Sequence, residues 1–85
     1  MKITMLSRSY CHLCDVMQEA FLAWQALPEN ASRIPKIGHL QMVDVDEFAE
    51  LEALWGDKVP VLLLNNLEVC HYHFDGDKLA AMLKN

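Results

Sequence analysis

Apolar positions recur along this chain with two different periods, and their order predicts alternating strands and helices. Residues 2–6 are rich in β-forming side chains and end at a polar turn, which favours a short buried strand. From Cys11 onward, apolar residues repeat about every 3.6 positions and stop at Pro28, which predicts the longest helix. The apolar positions of this helix are Leu13, Val16, Met17, Ala20, Phe21, Trp24 and Leu27. The chain therefore opens with a strand followed by an amphipathic helix.

The middle of the chain is predicted to contain a loop, a second strand and a shorter helix. Residues 28–37 include two prolines, which is typical of a loop, and residues 38–44 favour a strand. Asp44 and Glu47 have the spacing of a capping box, which predicts that a helix begins there. The apolar face of this helix would consist of Phe48, Leu51, Leu54 and Trp55. Gly56 suits the position that caps its C-terminus.

The last third of the chain predicts a hairpin and a closing helix. Val61–Leu64 is a continuous apolar run, as expected for a strand that is covered on both faces. Asn65 and Asn66 tolerate positive φ and supply a two-residue turn, so residues 67–74 should return as the antiparallel partner strand. A final helix then begins at Gly76 or at the residue before it.

The predicted order β-α-β-α-β-β-α defines a single α/β domain that spans residues 1–85. It should form a four-stranded mixed sheet with three helices, in which the first β-α-β unit is a right-handed parallel crossover. A chain of 85 residues has room for one domain, and its 53% of hydrophobic residues can supply the core.

The distribution of charge along the chain indicates which kinds of molecule the protein is suited to bind. The formal net charge is −5. Residues 1–36 hold four basic and three acidic side chains, and residues 37–85 hold three basic and nine acidic ones. An acidic protein without a basic stripe is poorly suited to bind nucleic acid or an anionic membrane surface. Since no segment has the features of a signal peptide or a membrane span, we expect a cytoplasmic protein, and we expect it to be a monomer.

Two of the three cysteines occupy a position where thiol chemistry is favoured. Cys11 and Cys14 lie where the first strand meets the longest helix, and unpaired N–H groups at a helix N-terminus stabilise a thiolate. Residues three apart on the first turn lie on one side of the helix, so the two sulfur atoms can form a bridge. We expect Cys11 to attack a substrate disulfide and Cys14 to resolve the mixed disulfide.

A metal site built from these cysteines is the main alternative. Cys70, His71 or His73 could join Cys11 and Cys14 around zinc or copper. Strand alternation, however, places Cys70 on one face and both histidines on the other. We therefore expect no metal ligands, a buried Cys70 and solvent-facing histidines. A soft-metal module and a non-catalytic adaptor remain the competing hypotheses.

Two motifs together resemble a known family. The segments Tyr10-Cys-His-Leu-Cys14 and Asp57-Lys-Val-Pro-Val-Leu-Leu64 are similar to short glutaredoxin-like proteins of the thioredoxin-like superfamily. The resemblance implies a thioredoxin/glutaredoxin-like fold and a thiol–disulfide oxidoreductase acting on a protein or small-molecule disulfide. It implies that Pro60 is cis and packs beside the cysteine pair, and that Val59 offers backbone groups to an extended substrate. Arg8 would occupy the basic position three residues before the nucleophile.

The sequence departs from this family pattern in two places. Glutathione-using glutaredoxins are expected to have two adjacent glycines and an acidic residue before the last helix, whereas Phe74-Asp75-Gly76-Asp77 has one glycine. His12 follows Cys11 where proline is usual in that family. These departures argue against glutathione binding, and we expect no tightly bound cofactor.

Overall fold

Within residues 1–84, which the computed structural model describes, four strands form one mixed sheet. The strands are β1 (Ile3–Ser7), β2 (Leu40–Asp44), β3 (Val61–Leu64) and β4 (Leu67–His71). Their order across the sheet is β2-β1-β3-β4; β1 and β2 are parallel, and the other two neighbouring pairs are antiparallel. The predicted four-stranded mixed sheet with a C-terminal hairpin is therefore confirmed.

The same residues 1–84 form four α-helices and two 3₁₀ turns. The helices are α1 (His12–Ala26), α2 (Ile34–Ile37), α3 (Ala49–Trp55) and α4 (Gly76–Met82), and the turns are Pro28–Asn30 and Val45–Glu47. None of the helices in this part of the chain combines the length and hydrophobicity that crossing a bilayer requires. The additional helix, α2, lies where a loop was predicted.

The segment between α1 and β2 is helical because its prolines lie where a missing N–H matters least. Pro28 is the first residue of its 3₁₀ turn, and Pro35 is the second residue of α2. At these positions the missing N–H of proline would have had no partner within the helical segment. Asn30 is buried, and its side-chain amide donates to the Trp24 carbonyl at 2.6 Å. The Arg33 guanidinium donates to the Asn30 side-chain oxygen, also at 2.6 Å. These bonds fix the chain at the end of α1. The prediction of a loop over residues 28–37 was wrong, because two short helical segments form there.

Helix α3 begins later than the predicted capping box, and that prediction was wrong. The Asp44 carboxylate accepts a hydrogen bond from the Asp46 N–H at 2.9 Å and thereby caps the 3₁₀ turn. Phe48 is the N-cap of α3 and contributes no side-chain hydrogen bond. The local hydrogen bond to Asp46 competes successfully with the longer-range capping geometry, since aspartate readily bonds the backbone two residues on.

Half of the apolar face predicted for this helix packs against the sheet. Leu51 and Trp55 lie one turn apart and contact the core, whereas Phe48 and Leu54 are 49% and 67% exposed. A helix this short presents a single i, i+4 pair to its neighbour. Gly56 is the C-cap residue, as predicted, although its φ of −55° is right-handed.

The core consists of two clusters on opposite faces of the sheet. The larger cluster comprises Ile3, Met5, Met17, Phe21, Trp24, Ile37, Leu62, Leu64, Val69, Cys70, Leu79 and Leu83. The smaller cluster comprises Leu6, Val45, Val61 and Leu63. Alternate residues of β3 enter different clusters, so the apolar run is covered on both faces, as predicted.

The C-terminal hairpin turns as predicted but is shorter than expected. Asn65 and Asn66 have φ values of 51° and 69°, the left-handed conformations of a type I′ turn. β4 ends at His71 instead of continuing to residue 74, because Tyr72 also has a positive φ of 64°. A left-handed residue turns the backbone out of the extended conformation and ends the strand.

Gly76 provides a test of the packing between α1 and α4. A Cβ atom at this position would lie 2.7 Å from Trp24 Cδ1 and 3.1 Å from Phe74 Cε2. We expect Gly76→Ala to lower the free energy of unfolding by about 1–2 kcal/mol, after the gain in helix propensity is subtracted. Urea denaturation of the oxidised protein measures this change. Lys78→Ala, an exposed change in the same helix, is the control and should alter stability by less than about 0.5 kcal/mol. Equal stability of the two variants would contradict the close contact.

Candidate redox site

The strand register brings four chain segments to one end of the sheet. Leu6 pairs with Val61, Ser7 pairs with Asp44, and Val61 pairs with His71. The ends of β1, β2 and β4 and the start of β3 therefore lie side by side. We refer to this region, marked by Ser7, Asp44, Val61 and His71, as the cysteine end of the sheet, because the loop that follows Ser7 leads to Cys11.

Cys11 and Cys14 are joined by a disulfide, with their Cα atoms 5.2 Å apart. Cys11 is the N-cap of α1 and is partly exposed, whereas Cys14 lies inside the first turn and is 4% exposed. The Cys11 Sγ accepts a hydrogen bond from the Cys14 N–H at 3.1 Å. The two sulfur atoms thus differ in access: the outer one can be reached from solvent and the inner one is shielded.

The start of α1 is electrostatically suited to a negative charge on the Cys11 sulfur. The sulfur already accepts a hydrogen bond from one backbone N–H, and it lies at the N-terminus of α1, the positive end of the helix dipole. Interaction of an anion with a helix N-terminus contributes about 0.3–2 kcal/mol. When the disulfide is reduced, the same N–H can stabilise a Cys11 thiolate, which is the reactive form of cysteine.

Arg8 links this region to the 3₁₀ turn Val45–Glu47 and to α3 through two carboxylates. Its guanidinium forms an ion pair with Asp46 at 3.2 Å and a second ion pair with Glu52. Among residues 1–84, the Arg8 Nε is a buried side-chain nitrogen without a hydrogen-bond partner. Arg8 lies near the cysteine end, as its sequence position requires, but its charge is compensated by groups of the chain itself. Its role in substrate binding remains a prediction.

The loop before β3 presents unpaired backbone groups at the cysteine end. The Val59–Pro60 peptide bond is cis, and Pro60 is buried. The Val59 side chain packs against the smaller cluster, but its N–H and C=O have no hydrogen-bond partner within the described residues. The Pro60 carbonyl accepts a hydrogen bond from the Tyr72 N–H at 2.9 Å. Val59 and Pro60 therefore lie at the same end of the sheet as the cysteines.

Tyr72 is a component of this region that sequence reasoning missed. Besides its backbone bond to Pro60, its hydroxyl donates to the Asp57 carbonyl at 2.6 Å, across 15 positions of sequence. The alternating pattern of residues 67–74 favours a continuous strand, in which the tyrosine would be an ordinary strand residue. No local signal marks a contact at this separation.

A model of the Glutaredoxin-like domain (DUF836) matches residues 2–84 of the chain. The chain belongs to this glutaredoxin-like family. A comparison with curated proteins gave no match.

Solved structures place this glutaredoxin-like chain among related folds. A structural-genomics protein from X. campestris is 33% identical over 95% of this chain and 93% of its own, with a TM-score of 0.68. A protein from Nitrosomonas europaea is 31% identical over 98% of this chain and 91% of its own, with a TM-score of 0.75. Thioredoxin 1 from Thermosipho africanus is 18% identical over 98% of this chain and 94% of its own, with a TM-score of 0.57, and shows similarity of fold alone. The thioredoxin/glutaredoxin-like fold is confirmed.

The third cysteine of the glutaredoxin-like chain lies away from the pair. Cys70 is buried in the larger cluster, as predicted, and burial raises the pKa of its thiol. His71 is half-buried and its Nδ1 lies 3.0 Å from the Glu68 carboxylate, whereas His73 is exposed. Residues 1–84 contain no group of three or more histidine, cysteine or acidic side chains arranged to hold a metal ion.

The raised pKa of Cys70 predicts a pH-dependent contribution to stability. Its ordinary value is 9.0, and the folded protein holds the thiol proton to higher pH than the unfolded chain does. The stabilisation is therefore intact below about pH 9 and is lost as the pH rises further. In a Cys11→Ser/Cys14→Ser background, which has no disulfide to reshuffle, we compare the protein that retains Cys70 with its Cys70→Ala counterpart. We expect the difference in the free energy of unfolding to fall by up to about 1.4 kcal/mol per pH unit above pH 9. Denaturant unfolding at a series of pH values measures this; a constant difference would contradict it.

Proposed function

We propose that this chain is a thiol–disulfide oxidoreductase that works through Cys11 and Cys14. The observation that carries the proposal is the Cys11–Cys14 disulfide at the start of α1. The Cys11 sulfur, the more exposed of the two, accepts a hydrogen bond from a backbone N–H. This geometry supports a thiolate at Cys11 and places a second sulfur within bonding reach of it. Membership of the glutaredoxin-like family agrees with this chemistry.

In the reductive direction, the cysteine pair starts as a dithiol and ends as a disulfide. The Cys11 thiolate attacks one sulfur of a substrate disulfide, forms a Cys11–substrate disulfide, and releases the other substrate sulfur as a thiolate that takes up a proton. Cys14 then loses its proton and attacks the Cys11 sulfur, which forms the intramolecular disulfide and releases the second substrate thiol. Two electrons pass from the pair to the substrate, and a thiol reductant must return them.

The different exposure of the two sulfur atoms supports this assignment of roles. An incoming disulfide can approach the partly exposed Cys11, whereas Cys14, at 4% exposure, is shielded from it. Attack by Cys14 therefore becomes possible only on a sulfur that is already bonded to Cys11. Attack on the substrate by Cys11 therefore comes first, and attack by Cys14 on the mixed disulfide comes second.

The backbone of Val59 offers a second element of a substrate site. Its unpaired N–H and C=O can hydrogen-bond an extended polypeptide in the manner of an added strand. We propose that a peptide flanking the substrate disulfide binds here, with Pro60 beside it. A compartment that keeps the pair reduced suits this activity, and we propose the cytoplasm.

The assignment of roles is tested by trapping the intermediate. Without Cys14 the mixed disulfide cannot be resolved, so a Cys14→Ser/Cys70→Ala variant should accumulate one substrate adduct on Cys11 when it is treated with cystamine. Intact-mass spectrometry detects the adduct, and peptide mapping locates it. The matched variant Cys11→Ser/Cys70→Ala retains the shielded thiol and should react at least about tenfold more slowly.

Two results would overturn this assignment. Faster adduct formation by the variant that retains Cys14 would reverse the roles of the two sulfur atoms. Absence of an adduct in both variants, together with stoichiometric zinc or copper in the reduced wild-type protein, would favour the metal-binding hypothesis instead.

The charges around Cys11 favour positively charged substrates. Arg8 is paired with two carboxylates, Asp46 and Glu52, so that these three side chains sum to one negative charge. Asp15 is exposed in the first turn of α1. Asp57 is exposed in the loop before β3, where the neighbouring Lys58 offsets its charge, so the region remains negative overall. A negative local potential raises the encounter rate of cations and lowers that of anions. Glutathione disulfide is a net anion and is therefore disfavoured.

This charge preference can be measured with two small disulfides of opposite charge. We expect the reduced protein to react with cystamine, a dication, about tenfold faster than with dithiodiglycolate, a dianion, after division by the rates of a simple thiol with each compound. Added salt should reduce the ratio because it screens exposed charges. Asp15→Asn should reduce the ratio as well. A preference for the dianion would contradict the proposed electrostatic selection.

A further inference from the structure

Tyr72 holds both ends of the four-residue loop that precedes β3. Its hydroxyl donates to the carbonyl of Asp57 at 2.6 Å, and its backbone N–H donates to the carbonyl of Pro60 at 2.9 Å. One residue thus bonds the first and the last members of the segment 57–60. The two bonds fix this loop against the end of β4.

The backbone groups of Val59 lie between these two attachment points. Its side chain is directed into the smaller cluster, and the neighbouring Lys58 N–H donates to the Trp55 carbonyl at 2.8 Å. Each other member of the loop has one backbone group in a hydrogen bond within the described part of the chain, while the N–H and C=O of Val59 have none. The residues on both sides of Val59 are fixed by hydrogen bonds, and the N–H and C=O of Val59 are left without a partner.

The conformation of Tyr72 is unfavourable for a bulky residue, and its surroundings hold it in place. Its φ is 64°, in the left-handed region that non-glycine side chains rarely adopt. The His71 ring packs edge-on against the Tyr72 ring, with centroids 4.8 Å apart, and His71 is itself paired with Glu68. Such conformations persist where neighbouring contacts determine them, and they are concentrated at functional sites.

We propose that Tyr72 is a positioning residue: it fixes the 57–60 loop so that the N–H and C=O of Val59 meet the backbone of a polypeptide disulfide substrate. This inference rests on the proposed function. It divides substrates into two classes. A polypeptide disulfide needs both Cys11 and the positioned Val59 backbone, whereas a small disulfide without peptide groups needs Cys11 alone.

The test compares Tyr72→Phe with wild type on one probe from each class. The peptide probe is the symmetric disulfide of a short extended peptide with one cysteine and blocked termini, and the small probe is cystamine. Loss of the hydroxyl bond frees the Asp57 end of the loop, so the rate constant for the reduced variant with the peptide probe should fall about 3- to 10-fold. The rate constant with cystamine should change by less than about 1.5-fold, since no backbone contact is involved.

An exposed substitution far from the cysteine end is the control. Leu67 is 65% exposed and lies at the opposite end of β4 from His71. Leu67→Ala should therefore leave both rate constants unchanged. The pH dependence of the rate at which iodoacetamide alkylates Cys11 should be the same in wild type and Tyr72→Phe, because Tyr72 acts on the loop and not on the sulfur.

A second measurement observes the loop directly. Amide hydrogen exchange at positions 58 and 72, whose N–H groups donate to the carbonyls of Trp55 and Pro60, is followed by NMR in the oxidised protein. It should be about 3- to 10-fold faster in Tyr72→Phe, while exchange in the β1–β3 ladder stays unchanged. Faster exchange in the ladder as well would indicate general destabilisation and would overturn the local role.

The outcomes separate this inference from the proposed function. Equal losses on the peptide probe and on cystamine, or no loss on either, would overturn the role of Tyr72 and leave the oxidoreductase assignment standing. Failure of the wild-type protein to react with either probe would overturn the proposed function, and the inference with it. A loss confined to the peptide probe, together with faster amide exchange at positions 58 and 72, is the expected result.

Discussion

The antiparallel pairing of β1 with β3 is the constraint on which the rest of the molecule depends. Leu6 lies opposite Val61, and this single register brings the loop that leads to Cys11 beside the loop that ends at Pro60. A shift of one residue would exchange the side chains that enter the two core clusters, and neither cluster would then pack. Because β1 and β3 are the central strands and are buried on both faces, hydrophobic packing fixes their register. The geometry of the candidate site is therefore a direct product of core packing.

Much of the fold could be predicted because its signals are local. The apolar repeat of α1, the continuous run of β3 and the two asparagines of the hairpin turn each depend on a few neighbouring residues. The predictions that were wrong concern short elements: α2 and the 3₁₀ turn after Asp44 each contain about one turn, too few residues for a periodic signal. In both places, a side chain or a proline at the first turn determined the outcome.

The candidate site could be predicted only in part, for a related reason. The spacing of Cys11 and Cys14 and the proline before β3 are visible in the sequence. The contact between Tyr72 and Asp57, and the pairing of Arg8 with Asp46 and Glu52, join residues that are far apart in the chain. Such contacts arise from tertiary placement, which periodicity does not encode. The sequence therefore indicates the reacting atoms better than the groups that surround them.

The burial of Cys70 determines which disulfide forms when the chain is oxidised. A chain with three thiols can form three different internal bridges, and it can also crosslink to a second chain through whichever thiol is left over. Enclosing Cys70 in the larger cluster removes it from this competition, so that oxidation of the folded chain has one product. Each local opening that exposes Cys70 allows non-native disulfides to form. In this small domain, the integrity of the core is therefore also a safeguard against mispaired disulfides.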